Sequence, residues 1–212
     1  MIFDRKIPCF LLSLLLLCLS LSSCAVRRRR METGETEEKN REEMKKELPD
    51  YVTVDLIDVD GASRRGVKLE GVTAVVVHYV ANPGTTAKQN RDYFNNPESE
   101  TSSHFIIGLQ GEVLLVVPLD EKSSATGERN RDTISIEVCH PKEDGAFTKA
   151  SYERLVELCA WLCEKYSLDP ESGVIRHYDV TGKNCPKYFV EHPDEWDAFK
   201  KEVQASMKGK KK

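Results

Sequence analysis

The segment Arg176-His177-Tyr178-Asp179-Val180-Thr181-Gly182-Lys183-Asn184-Cys185-Pro186 packs an imidazole, an ammonium and a thiol into one short stretch. Imidazole and thiolate are two of the usual zinc ligands, and an ammonium is a charge that steadies an oxyanion. A second imidazole stands far upstream, closing the apolar run Val75-Val76-Val77-His78-Tyr79, where a buried strand delivers a side chain to the edge of a sheet. His78, His177 and Cys185 are therefore the candidate ligands of one metal ion. Three protein ligands leave the fourth tetrahedral position for water, the pattern of catalytic rather than structural zinc sites. Taken singly, a strand-end His or a Cys is more often packing. What singles these out is their company: Gly182 and Pro186 flank the ligating stretch, which lies in the polar region after a strand.

Hydrolysis at such a site needs a base as well as a Lewis acid. Glu137 sits within Thr133-Ile134-Ser135-Ile136-Glu137-Val138-Cys139 and, by strand alternation, faces away from Ile134, Ile136 and Val138. A carboxylate in mid-strand is costly unless it meets a cleft or a partner, which makes Glu137 the candidate base. Lys183 lies two residues before Cys185, so the loop that presents the thiol carries the ammonium toward the same reacting carbonyl. It is the candidate oxyanion stabiliser. For both residues the alternative is a surface salt bridge.

Alternating strands and helices must position these groups. Residues 73–79 form a continuous apolar run suited to a strand buried on both faces, and Asn82-Pro83-Gly84 breaks it. Thr85 or Thr86 caps a helix to about Asn95, with Ala87, Asn90, Arg91 and Phe94 along one side. Phe105–Leu109 and Glu112–Val116 flank Gln110-Gly111 as a hairpin, and 133–139 is a third central strand. Thr148 caps a helix whose Tyr152, Leu155, Val156, Cys159, Leu162, Cys163 and Tyr166 keep the 3.6-residue period to Ser167. Val174-Ile175 leads into His177, and Pro193 opens a last helix through Trp196, Phe199 and Val203. The fold class expected is α/β, a central mixed β-sheet flanked by helices, with the zinc cleft at one edge of the sheet.

The ends of the 212-residue chain read differently. Residues 1–23 have Arg5 and Lys6 before an apolar stretch from Ile7 to Leu21, a secretory signal too short for a comfortable membrane span. It ends in Leu21-Ser22-Ser23-Cys24, which resembles the lipobox of bacterial lipoproteins and makes Cys24 the expected site of lipid attachment. Arg27–Arg30 follow directly. They read either as a cytoplasmic-side cluster on an uncleaved anchor or as a patch attracted to anionic head groups. Residues 24–50 are mixed charge with little to bury, a disordered tether with transient helix from 40 to 48. The folded domain spans 51–206, and 207–212 is a basic tail.

Of seven cysteines, Cys9, Cys18 and Cys24 fall in or at the signal, leaving Cys139, Cys159, Cys163 and Cys185. Cys159 and Cys163 share a buried helix face, as packing thiols or, with awkward geometry, as a pair. A net charge of −4 without any basic stripe carries no nucleic-acid footprint. His140 and His192 read as surface or capping residues.

The chain resembles the zinc N-acetylmuramoyl-L-alanine amidases of type 2, relatives of phage amidases and peptidoglycan recognition proteins. The resemblance covers about residues 70–190. It is carried in order by Val77-His78-Tyr79 with Asn82-Pro83-Gly84, Ser103-His104-Phe105-Ile106-Ile107, Ser135-Ile136-Glu137-Val138-Cys139, and Arg176-His177-Tyr178-Asp179 through Lys183-Asn184-Cys185-Pro186. It implies that His78, His177 and Cys185 hold zinc and that Glu137 and Lys183 are catalytic. Some members carry a catalytic Tyr where this chain has Ser103, and the branch lacking it uses a strand Glu, so the chain looks Glu-dependent. His104 is then a cleft residue, either touching substrate or bridging loops, and Asn82 a further substrate contact. The reaction implied is hydrolysis of the amide joining N-acetylmuramic acid to L-alanine. The implied partners are peptidoglycan or muropeptides, met by a monomer held at the cell envelope by its lipid. Some relatives bind peptidoglycan without cutting it, typically after losing the Cys ligand; a non-catalytic peptidoglycan-binding lipoprotein is the alternative, and a structural lipoprotein whose His and Cys are only packed a more distant one.

Overall fold

The apolar run ending in His78 is strand β2 (Ala74–Tyr79), with its first five residues buried. The chain is described here by a computed structural model over residues 38–209, apart from 60 and 97. The signal, Cys24, Arg27–Arg30 and the end of the basic tail lie outside the described residues. Two compact units divide the chain, Met1–Leu48 and Pro49–Lys212.

In the first unit the described residues form helix α1 over 38–47, within the tether whose stretch from 40 to 48 was expected to be transiently helical. Glu, Lys and Arg are good helix formers, and ion pairs at i,i+3 spacing, Lys45 with Glu42 and Lys46 with Glu43, add local support.

In the second unit β1 (Val52–Val54), β3 (Phe105–Ile107), β4 (Val113–Leu115), β5 (Thr133–Val138) and β6 (Val174–Arg176) join β2 in one sheet. The strand order is β1-β4-β3-β5-β2-β6. Only the hairpin pair β3 and β4 is antiparallel, so the sheet is mixed, as expected. Helices α2 (Ala87–Phe94), α3 (Lys149–Tyr166), α4 (Pro170–Gly173), α5 (His177–Thr181), α6 (Lys187–Glu191) and α7 (Pro193–Gly209) complete the unit. Among the described residues no helix is long and apolar enough to cross a membrane.

The two faces of the sheet follow from strand alternation. Ile106 packs in a cluster with Ala87 and Phe94 of α2, whereas Phe105 meets Trp161 of α3 edge-on at 6.5 Å. Helices therefore cover both faces. Glu137 is in register with both Ile106 and His78, which places the carboxyl and the imidazole on the α2 side at the carboxyl ends of their strands. Thr86 caps α2 in a reciprocal box with Gln89, and Thr148 caps α3 by accepting from the Ser151 amide. α3 ends at Ser167 in the left-handed conformation, φ 56°. It buries Leu155, Leu158, Leu162 and both Cys159 and Cys163, which are free thiols used as packing. At the hairpin turn Gly111 has φ 82°, and a Cβ there would stand 2.9 Å from the Ala150 carbonyl oxygen; the turn and the start of α3 meet through this glycine.

Candidate active site

Three strands end at one place. β2 carries His78 at its penultimate position, β5 sets Glu137 directly beside it, and edge strand β6 hands over to His177, the first residue of α5. Arg176 fixes that handover. Its amide and guanidinium both donate to Asp179, and its Nη1 donates to the Phe189 carbonyl at 3.0 Å, so the first turn of α5 is clamped around His177. Gly182 takes φ 75° and turns the chain out of α5, a conformation glycine adopts at little cost. The Tyr178 amide then donates to the Cys185 carbonyl at 2.9 Å, closing the loop and bringing the thiol back beneath β2.

The ligand atoms of His78, His177 and Cys185 all lie within 4.8 Å of one another. Tetrahedral ligands with zinc bonds of about 2.0–2.3 Å stand roughly 3.3–3.8 Å apart, so the three need close in only slightly. His78 Nδ1 is already 3.8 Å from Cys185 Sγ, and the two imidazole rings are 4.6 Å apart between centroids. His177 Nδ1 is buried with no hydrogen-bond partner. Leaving such an atom unpaired costs on the order of 1–3 kcal/mol, and a cation at the cluster supplies the missing partner. The donor set of two imidazoles and one thiol is the chemistry zinc selects, and the site fits that ion.

The electrostatics agree. Burial, then the neighbouring His177 and Lys183, push His78 well below the usual imidazole range, and burial with Lys183 pushes His177 down. Both imidazoles are thus neutral, the form that ligates. Burial, with the Glu137 charge adding, pushes the Cys185 thiol up to about 12, while the Tyr79 amide and Lys183 oppose it. A metal ion displaces that proton on binding. Glu137 Oε1 lies 3.9 Å from His78 Nδ1, and burial raises the carboxyl to about 8 against the pull of Lys183. Its Oε2 is buried without a hydrogen-bond partner. Lys183 is exposed on the loop and lowers the proton affinity of Glu137, His78 and His177 through its charge. The five residues singled out by type and spacing therefore share one electrostatic site.

The remaining residues fall elsewhere. Asn82 is exposed on the loop after β2, and its described contacts are main-chain ones with Thr85. His140, expected to be a surface or capping residue, is 1% exposed, with Nδ1 donating to the Lys142 carbonyl at 2.7 Å and its ring beside Tyr79. The reason is that the loop folds back over β5, the His140 carbonyl accepting from the Gly84 amide at 2.8 Å. His192 is the C-cap of α6 and stacks on Tyr188, a capping role as expected.

His104, expected either to touch substrate or to bridge loops, is wholly buried and ties strand β5 to the segment at Glu121. Its Nδ1 accepts from the Ser135 amide at 3.0 Å and its Nε2 donates to the Glu121 carbonyl at 2.9 Å. Glu121 is itself pinned by Arg64 in a buried bidentate pair. Burial, opposed by Glu121, lowers the His104 pKa to about 4. Unfolding exposes an ordinary imidazole near 6.5, so between pH 6.5 and about 4 the unfolded chain binds the extra proton. His104 therefore contributes stability above pH 6.5 that is lost as pH falls toward 4, on the order of 3 kcal/mol in all. Thermal melts across that window in chelator are expected to show a steeper loss of Tm for wild type than for His104→Gln; equal slopes would refute the assignment.

Two contributors carried little signal in the sequence. The Arg176 and Asp179 clamp was visible as an acid three residues after an arginine, inside a stretch singled out for its ligands. Thr126, whose hydroxyl lies 3.2 Å from His78 Nε2, had none, being 48 residues away in a Ser- and Thr-rich segment.

Residues 68–188 match the family described as N-acetylmuramoyl-L-alanine amidase. The chain is 35% identical over 174 residues to the N-acetylmuramoyl-L-alanine amidase BlyA of Bacillus subtilis (strain 168), an alignment spanning 73% of this chain and 47% of that protein. It is 31% identical over 176 residues to the N-acetylmuramoyl-L-alanine amidase CwlL of Bacillus licheniformis, spanning 75% and 48%. The chain thus spans about half the length of these curated relatives. The solved catalytic domain of XlyA superposes with a TM-score of 0.63 at 28% identity, over 72% of this chain and 98% of that domain. PlyL, at 21% identity and a TM-score of 0.62, shares the fold. A match over more than half the chain, with relatives above 30% identity across nearly three quarters of it, shows that the chain belongs to the type 2 N-acetylmuramoyl-L-alanine amidases.

Proposed function

We propose that the chain hydrolyses the amide between N-acetylmuramic acid and L-alanine in peptidoglycan, with zinc held by His78, His177 and Cys185. The observation that carries the reading is the meeting of three ligand atoms from β2, α5 and the following loop within 4.8 Å, with Glu137 in register beside one of them. Held there by His78, His177 and Cys185, a zinc ion would supply Lewis acidity to the scissile carbonyl and to the attacking water. Glu137 takes the proton from the attacking water and passes it to the nitrogen as the carbon–nitrogen bond breaks. Lys183 sets its ammonium against the oxygen on which negative charge grows. The products are a glycan with a free lactyl carboxylate and a stem peptide with a free L-alanine amine. We further propose that the signal over 1–23 directs export and that lipid on Cys24 holds the enzyme at the cell envelope, within reach of that substrate.

Mass analysis of products from purified sacculi tests the reaction. Free stem peptides are expected with the protein and none in chelator. Cleavage at another bond, or release that chelator leaves untouched, would sink the proposal; binding without any cleavage would make the chain a recognition protein instead.

A further inference from the structure

His78 has two ring nitrogens, and a single neutral ring offers only one lone pair. Nδ1 is the nitrogen on the cluster side, 3.8 Å from Cys185 Sγ and 3.9 Å from Glu137 Oε1. Ligation through Nδ1 obliges Nε2 to carry the hydrogen, and an N–H buried in a residue 1% exposed needs an acceptor. The oxygen at that end of the ring is Thr126 Oγ1, 3.2 Å away and itself 0% exposed. Sequence reading passes over this threonine, and the proposed reaction does not use it.

The chain builds an anchored turn to hold that hydroxyl. Asn130 Oδ1 accepts from the main-chain amides of Ala125 at 3.0 Å and Thr126 at 2.6 Å. The Arg129 amide donates back to the Thr126 carbonyl at 3.3 Å, and the Thr133 hydroxyl donates to the Arg129 carbonyl at 2.7 Å. Thr133 is the first residue of β5, the strand that carries Glu137. One turn, Gly127–Arg131, is thereby tied to the same strand that supplies the base and delivers an acceptor under the ring of a ligand.

We propose that Thr126 is a positioning residue for metal binding: its hydroxyl accepts the Nε2–H of His78, fixing the tautomer and ring orientation in which Nδ1 ligates. This rests on the metal site proposed above and adds which nitrogen binds and what holds it. Groups that orient a ligating imidazole are typically worth about 10–100-fold in metal affinity. Thr126→Val keeps the shape and removes the acceptor, whereas Thr126→Ser keeps the acceptor.

Zinc affinity read by competition with a chromophoric chelator is expected to fall about 10–100-fold in Thr126→Val and to stay close to wild type in Thr126→Ser. The Tm of the zinc-free protein serves as the control for packing: Thr126→Ser is expected to match wild type and Thr126→Val to fall by no more than the loss of that one buried hydrogen bond. In zinc-loaded protein labelled with 15N-histidine, long-range proton–nitrogen correlations are expected to show His78 with its hydrogen on Nε2. A valine variant that binds zinc as tightly as wild type, a serine variant that loses as much as valine, or ligation through Nε2 would each overturn the proposal while leaving the zinc site standing. A wild-type chain that takes up no zinc at all would overturn both.

Discussion

Glu137→Gln is expected to lower kcat by about 10²–10⁴-fold while the protein keeps its full complement of zinc. The substitution preserves the shape of a side chain that stands in register with His78 and Ile106, so the strand has no reason to move. Nor does it break a described hydrogen bond: Oε2 is unpartnered, and Oε1 is 3.9 Å from the nearest imidazole nitrogen. What is lost is the capacity to take up and release a proton. Burial raises that carboxyl from an ordinary 4.5 to about 8 against the pull of Lys183, and the positive charge of a bound metal ion would draw it back toward the ionised form a base needs. Steady-state kinetics on a defined muropeptide, with metal content measured on the same samples, separates the outcomes. Wild-type turnover would show that another group is the base. Loss of zinc would show that Glu137 belongs to the ligand set.

How much of this is legible in the sequence depends on the kind of signal. The long periodic segments were plain: α3 over Lys149–Tyr166, capped by Thr148 and closed at Ser167, follows the 3.6-residue period without interruption, β2 is a continuous apolar run up to His78, and β5 alternates Ile134, Ile136 and Val138 with polar residues. The ligands and the base were legible because unusual residue types stood in apolar or turn-rich contexts. Short elements were not. β1 has three residues and is held by pairing with β4, an interaction 61 residues distant in register, and α4, α5 and α6 have four or five residues each, too few for any period to register. The roles of His104 and His140 depended on which loops fold back over the sheet, which local spacing does not encode. His104 in particular lies in a stretch that resembles an active-site motif, yet its two nitrogens serve Ser135 and Glu121. Thr126 was the hardest to see, since its partner is defined only when β2 and the turn before β5 pack together.

Removing the sulfur tests the ligand set directly: Cys185→Ser is expected to weaken zinc binding by more than about 100-fold, beyond the effect of losing a group that merely orients a ligand, and to abolish turnover. A neutral hydroxyl replaces a group that becomes an anion on the metal, and serine is not among the usual zinc donors. The loop itself survives the change, because its shape is set by main-chain bonds: the Tyr178 amide to the Cys185 carbonyl at 2.9 Å and the Cys185 amide to the Lys183 carbonyl at 2.7 Å. Lys183 therefore keeps its place, and so do Glu137 and both imidazoles. Zinc content after dialysis against a weak chelator, muropeptide affinity and turnover, measured together, read the result. If the serine variant retains zinc and cuts at the wild-type rate, the thiol is a packing group like Cys159 and Cys163, and the metal centre must be redrawn around other atoms. If zinc and turnover are lost while muropeptide still binds, the residual protein is in effect the binding-only relative that the missing cysteine defines. The difference between recognition and catalysis in this chain then comes down to one sulfur atom held 3.8 Å from His78 Nδ1.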